Sequence, residues 1–112
     1  MSTKMNRQPL PATVRSRLHD MGGALRLARL RRRWSQALLA QKAGVAIMTL
    51  RNAEQGHTGV ALATYARLLW ALNLDALLDP LVDPAADRSG LAMEASRLGK
   101  RVRTRQELDD DF

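Results

Sequence analysis

The chain has no cysteine, and it is poor in histidine and in aromatic residues. Without cysteine it can form no disulfide framework, no zinc finger and no thiol nucleophile. Its two histidines, His19 and His57, are too few for a histidine-based metal centre. No apolar run approaches the roughly 20 residues that a membrane-spanning helix needs, and residues 1–7 lack the apolar segment of a signal peptide. No nucleotide-binding or metalloprotease motif occurs, so we expect a cytoplasmic protein that is not an enzyme and holds no cofactor.

Positive charge is concentrated near the start of the chain. The 112 residues include 18 Lys and Arg against 11 Asp and Glu, a formal net charge of +7. Residues 1–34 contain nine basic residues and one acidic residue. Residues 97–111 form a basic stretch followed by an acidic stretch. This balance points to a polyanionic partner, either a nucleic acid or a membrane surface.

Apolar residues recur at helical spacing and no stretch alternates with period two, so the sequence predicts an all-α protein. Proline positions divide the chain into an N-terminal arm (1–11), a domain (12–82) and a C-terminal helix and flexible tail (83–112) that is first basic, then acidic. We expect five helices in the domain, at about 12–32, 35–43, 46–55, 62–72 and 74–78, and a weaker sixth helix at 87–98.

Some expectations concern single residues of the domain. Gly22 and Gly23 each cost a helix about 1 kcal/mol relative to alanine, so the start of the first helix is left open between residue 12 and Gly23. Trp34, Trp70 and Tyr65 are assigned to the core, with the Tyr65 hydroxyl at its rim.

Residues 35–56 have the pattern of a helix-turn-helix motif, in which two helices are joined by a short turn containing glycine. Ser35 is predicted to cap the first helix, Gly44 to reverse the chain, and Val45 and Leu50 to hold both helices against the core. The residues left facing outward on the second helix are Ile47, Met48, Arg51, Asn52 and Gln55. A major groove accepts one α-helix and offers hydrogen-bond partners to such side chains, so the motif predicts binding to double-stranded DNA.

The stretch from Leu25 to Leu78 resembles the Xre/lambda-repressor-like family of helix-turn-helix regulators. The residues that carry the resemblance are Ser35-Gln36, Leu39-Ala40, Ala43-Gly44-Val45, Thr49-Leu50, Glu54 and Gly56. The resemblance implies a five-helix DNA-binding domain in a sequence-specific transcriptional regulator, a repressor or autorepressor that acts as a homodimer. It also implies an ion pair between Arg29 and Glu54. Base contacts are expected from Ile47, Met48, Arg51 and Asn52, and phosphate contacts from Gln36, Ala46, His57 and Thr58.

Three positions depart from the family pattern. Ala46 stands where the family usually has Ser or Thr, which removes the side-chain contact to phosphate at this position and a helix cap worth about 1 kcal/mol. Ile47 and Met48 replace polar side chains and can press on thymine methyl groups without making bidentate hydrogen bonds. Base readout then depends on Arg51 and Asn52, or else Ile47 and Met48 serve a protein contact.

The dimer interface is predicted at the apolar residues Leu74, Leu77, Leu78 and Leu81.

The C-terminal layout favours a second interpretation. The basic stretch Lys100-Arg101-Val102-Arg103 and the end Leu108-Asp109-Asp110-Asp111-Phe112 resemble HipB-type antitoxins, which implies a HipA-like toxin kinase as partner and its neutralisation as the main role. We expect one of three arrangements for the basic residues at 97–105: they bind DNA, they fold back on the acidic residues at 107–111, or they are solvated. Arg31-Arg32-Arg33 is likewise left open between phosphate contact and a solvated helix end. A basic membrane-binding protein is a third class, which the polar outward residues of the motif disfavour.

Overall fold

The computed structural model describes residues 8–110, and every regular element in this part of the chain is a helix. The first four are α1 (Ala12–Arg31), α2 (Gln36–Ala43), α3 (Ile47–Glu54) and α4 (Leu62–Ala71). A 3₁₀ turn (Asp75–Leu78), α5 (Asp79–Val82), a second 3₁₀ turn (Pro84–Ala86) and α6 (Arg88–Asp110) follow. The prediction of an all-α protein is confirmed. Residues 1–7 of the expected arm, together with Asp111 and Phe112 at the end of the predicted tail, lie outside the described residues.

Contacts divide the described chain into two units, the first ending at Leu77 and the second beginning at Leu78. The first unit packs α1, α2, α3 and α4 around one core. The second contains α5, the Pro84–Ala86 turn and α6. The predicted domain 12–82 therefore extends beyond the end of the first unit and includes α5 of the second. No helix within residues 8–110 is long and apolar enough to cross a membrane.

Helix α1 continues without a break through Gly22 and Gly23. Gly22 does not end the helix; it allows α1 to pack closely on α3. A Cβ atom on Gly22 would lie 2.5 Å from the backbone oxygen of Ala53, so only glycine permits this approach. Just after α3, Gly56 has φ of 76°, and a Cβ there would lie 2.6 Å from the Cα of His19. These two glycines fix where α1 crosses the C-terminal end of α3.

Local signals at the α2–α3 turn act as the sequence predicts. The Ser35 Oγ accepts a hydrogen bond from the Leu38 N–H over 3.0 Å and caps α2. Gly44 ends α2 in the left-handed region, with φ of 69°. The Val45 N–H then donates to the Ala40 carbonyl over 3.0 Å, which closes the turn. The two helices are therefore held at a fixed crossing.

The core of the first unit consists mainly of leucine and alanine side chains: Leu25, Ala28, Leu39, Ala40, Ala43, Leu50, Ala53, Tyr65, Leu68 and Leu72. Trp34 is half-buried against this core. Trp70 is 63% exposed, so its assignment to the core is wrong. The inward side of α4 is already occupied by Tyr65, Leu68 and Leu72, whereas Trp70 follows Leu62 at multiples of four residues on the outward side.

The hydroxyl of Tyr65 does not lie at the rim of the core, as expected, but inside it. The side chain is 5% exposed, and its oxygen has no hydrogen-bond partner among the described residues. Burial raises the pKa of this phenol above its usual value of 10.0, because desolvation disfavours the phenolate.

The C-terminal part differs from the sequence expectation in two ways. The helix predicted at 74–78 is a 3₁₀ turn at Asp75–Leu78. The flexible tail expected after residue 98 is helical instead, since α6 continues to Asp110. Good helix-forming residues and opposite charges four residues apart, such as Arg103 with Glu107, favour this continuation.

Candidate nucleic-acid interface

A buried ion pair joins α1 to the end of α3. The Arg29 guanidinium donates from Nε to Glu54 Oε2 over 2.8 Å and from Nη2 to Oε1 over 3.0 Å. The two residues are only 6% and 7% exposed. The third arginine nitrogen, Nη1, donates to the Trp34 carbonyl over 2.9 Å. This fork-to-fork geometry orders both side chains and fixes α3 to the segment that leads into α2.

Gln36 extends this ion pair to the surface. Its Nε2 donates to Glu54 Oε1 over 3.1 Å, and its Oε1 accepts from Arg51 Nε over 3.2 Å. Only one orientation of the amide satisfies both contacts, because one neighbour is an acceptor and the other a donor. Glu54 therefore orders Gln36, and Gln36 in turn orders the exposed Arg51. The expected phosphate contact of Gln36 stays a prediction, while its link to Arg51 is a feature that sequence analysis missed.

The four residues assigned to base contact differ in exposure. Met48 is 58% exposed, and Arg51 is exposed with its Nη1 at 3.9 Å from the Met48 Sδ. Asn52 is half-buried. Ile47 is also half-buried and packs against the core, because it lies one helical turn before the fully buried Leu50. Only part of Ile47 faces outward, which corrects the expectation that the whole side chain does.

The remaining candidate phosphate-contacting residues lie at the two ends of α3. Ala46 precedes the helix and provides no side-chain cap. His57 and Thr58 are exposed in the loop that leads to α4. The His57 N–H donates to the Asn52 carbonyl over 3.0 Å, and its ring Nε2 lies 3.0 Å from Gln55 Oε1. The start of this loop is therefore tied to the last turn of α3.

The three arginines at the end of α1 have different surroundings. Arg32 is half-buried and donates from Nη1 to the Ala28 carbonyl over 2.8 Å and from Nη2 to the Leu72 carbonyl over 2.9 Å. It therefore links the ends of α1 and α4 rather than extending into solvent. Arg32 therefore fits neither expectation for this run, whereas Arg31 and Arg33 are exposed, and phosphate contact and solvation both remain open for them.

The residues assigned to the dimer interface are only partly available. Leu74 packs against the core of the first unit, so it is a poorer candidate than expected. Leu77 is exposed in the same unit. In the second unit Leu78 is half-buried and Leu81 is exposed. Trp70 is a further exposed apolar side chain on the first unit, and the sequence analysis overlooked it by placing it in the core.

No three His, Cys, Asp or Glu side chains within residues 8–110 cluster in a way that could hold a metal ion. No family model matches the chain, and no curated protein is significantly similar to it. Its function is therefore inferred from the arrangement of α2 and α3 and from the charges around them.

Proposed function

We propose that this chain is a sequence-specific transcriptional regulator of the lambda-repressor-like type, a repressor that binds double-stranded DNA as a dimer. In this proposal α3 enters the major groove. The observation that carries it is the chain of hydrogen bonds from Glu54 through Gln36 to Arg51. An arginine ordered in this way loses less side-chain freedom when it donates to a guanine base.

The exposed surface of α3 supports the proposal. An α-helix with its side chains is about 10–12 Å in diameter, so it fits a major groove about 12 Å wide, and the eight residues of α3 span about 12 Å along the helix axis. Arg51 and Met48 lie side by side on its exposed surface. Arg51 would donate to guanine O6 and N7, while Met48 would contact a thymine methyl group. Asn52, half-buried beside them, is the candidate for adenine.

Charge supplies the part of the affinity that does not depend on sequence. Arg31 and Arg33 are exposed, and the N-terminal end of α2 carries the positive end of its helix dipole. Each phosphate that these groups neutralise releases counterions, so binding should weaken steeply as salt increases. A single domain makes few contacts, so two copies on half-sites about 34 Å apart are expected.

The test begins with selection of duplexes from a random-sequence pool by the wild-type chain. Fluorescence anisotropy then compares the selected duplex with a scrambled duplex. We expect Arg51→Ala and Asn52→Ala each to reduce the preference for the selected duplex about tenfold to 100-fold. The matched control, Arg26→Ala, removes the same charge from the exposed surface of α1 and should leave that preference unchanged.

Two results contradict the proposal. One is a wild-type chain that binds neither duplex even at low salt. The other is a preference that Arg51→Ala and Asn52→Ala leave intact, because specificity would then arise somewhere other than α3.

The second candidate is an antitoxin of the HipB type, whose main role is to bind and neutralise a HipA-like toxin kinase. The exposed Trp70 favours it, because tryptophan is typical of protein interfaces and is seldom left on a free surface. The probe is the purified product of the adjacent reading frame. Loss of its binding in Trp70→Ala, with DNA binding retained, supports this candidate, and unchanged binding contradicts it.

A further inference from the structure

Helix α6 exposes an apolar seam. Leu91, Ala95, Leu98 and Val102 follow one another at spacings of four, three and four residues, which places them on one side of the helix. The three larger side chains are 46%, 53% and 62% exposed, in chain order. Helices that bury no apolar side are only marginally stable in water. We therefore expect this seam to be covered in the working protein.

Charged and small residues flank the seam in a definite order. In heptad notation Leu91 and Leu98 are d positions, and Ala95 and Val102 are a positions. Glu94 and Arg101 are then both g positions, and they line one groove of the helix surface together with Leu98. The e positions on the opposite flank are small, namely Ala92 and Gly99. The g flank therefore carries two charges of opposite sign seven residues apart, whereas the e flank beside the seam has only small residues.

These flanks are complementary to the same flanks of a second copy that runs in the opposite direction. When Leu91 lies opposite Val102 of the second copy, Ala95 lies opposite its Leu98. Glu94 then lies beside Arg101 of the second copy, and by symmetry Arg101 lies beside its Glu94.

The opposite flank fits this direction as well. There Ala92 meets Gly99 of the second copy, and the small side chains let the two backbones approach. A parallel pair would instead place Glu94 beside Gly99 and Arg101 beside Gln106, with no ion pair.

We propose that α6 is the surface through which two copies of this chain associate, as an antiparallel helix pair with two Glu94–Arg101 ion pairs. The same patch serves both partners, so the contact closes with two copies. The inference gives the dimer a location, and it rests on the proposed function only for the expectation that the chain is dimeric. It differs from the interface predicted around Leu77 and Leu81.

Two charge reversals test the pairing directly. Glu94→Arg leaves only positive g positions and Arg101→Glu only negative ones, so each variant opposes its own association. A mixture of the two variants restores both opposite-charge pairs. Lys100→Glu is the matched control, because it reverses an exposed positive charge at an f position outside the seam, with the uncharged Ser96 and Thr104 four residues away on either side.

Sedimentation equilibrium of the full chain without DNA, over a concentration series, measures the association. We expect each reversal alone to raise the dissociation constant of the dimer about tenfold. The equimolar mixture should return to the wild-type value, and Lys100→Glu should not differ from wild type. Recovery in the mixture shows that both variants fold, since a misfolded chain would not regain a partner.

Several results overturn the inference. A wild-type chain that is monomeric at every concentration does so, and so does a dimer that neither reversal weakens, because that dimer forms elsewhere. A mixture that fails to recover, or a control that weakens as strongly as Arg101→Glu, also overturns it. DNA binding is measured in parallel. A monomer that binds DNA contradicts this inference and the dimeric form of the proposed regulator but not its DNA binding, and a dimer that ignores DNA contradicts only the proposed function.

Discussion

The Glu54 carboxylate accepts a hydrogen bond from the Gln36 amide over 3.1 Å, and this contact connects a buried ion pair with the exposed surface of α3. The same carboxylate pairs with Arg29 beneath it. On its other side the Gln36 amide accepts from Arg51. Fold stability and the position of the proposed base-contacting arginine therefore depend on one acidic residue, and substitutions along the chain of contacts can separate the two roles.

Glu54→Ala should lower the free energy of unfolding by about 3–5 kcal/mol, because it leaves the Arg29 charge buried without a partner. Urea unfolding measures the loss. The double variant Arg29→Met with Glu54→Met removes both charges and should recover most of it. A loss below about 1 kcal/mol for Glu54→Ala would falsify the view that the pair is buried and mutually dependent.

Gln36→Met keeps the length of the side chain but removes both of its hydrogen bonds. We expect a stability loss of about 1–3 kcal/mol and a loss of preference for the selected duplex that approaches that of Arg51→Ala. The reason is that Arg51 is no longer ordered. The control is Gln41→Met on the same helix, whose side chain is exposed. Unchanged specificity in Gln36→Met would mean that Arg51 orders itself without Gln36.

Gly22→Ala and Gly23→Ala should change stability in opposite directions. The added methyl at Gly22 meets the backbone of α3 at 2.5 Å and should cost about 1–3 kcal/mol, because α1 and α3 must separate. The added methyl at Gly23 has nothing within 4 Å and should stabilise α1 by about 0.5–1 kcal/mol. Thermal unfolding of both variants checks the pair. Equal effects would contradict the close crossing.

Features that depend on neighbouring residues were predictable from the sequence. The cap at Ser35 and the left-handed turn at Gly44 need only residues within one helical turn. The periodicity of apolar residues likewise predicts that Leu50 and Ala53 are buried. The pairing of Arg29 with Glu54 joins residues far apart in the chain, so it was expected only through the resemblance to a known family.

Features that depend on distant elements were not predictable. Gly22 looks like a weak point of a helix until the backbone of α3 is placed against it. Trp70 looks like a core residue because its size and apolarity favour burial, but three smaller side chains already occupy the inward side of α4. The charges of the C-terminal stretch suggest a solvated tail by composition, whereas their spacing at four residues supports a helix.

Tyr65→Phe should stabilise the protein at neutral pH and flatten its response to alkali. The buried hydroxyl has no partner among the described residues, so its removal relieves a desolvation cost of about 1–3 kcal/mol. Burial raises the pKa of Tyr65 above the 10.0 of an exposed tyrosine. As pH rises past that value, the unfolded chain releases the phenolic proton before the folded chain does, so the wild type loses stability.

Urea unfolding at pH 7 and at about pH 11 measures both effects, and the difference in the free energy of unfolding between variant and wild type should widen at the higher pH. Tyr65 is the only tyrosine of the chain, so phenolate absorbance reports its titration directly. A gap that stays constant, or a phenol that titrates at its usual pH in the folded protein, would show that the hydroxyl reaches water.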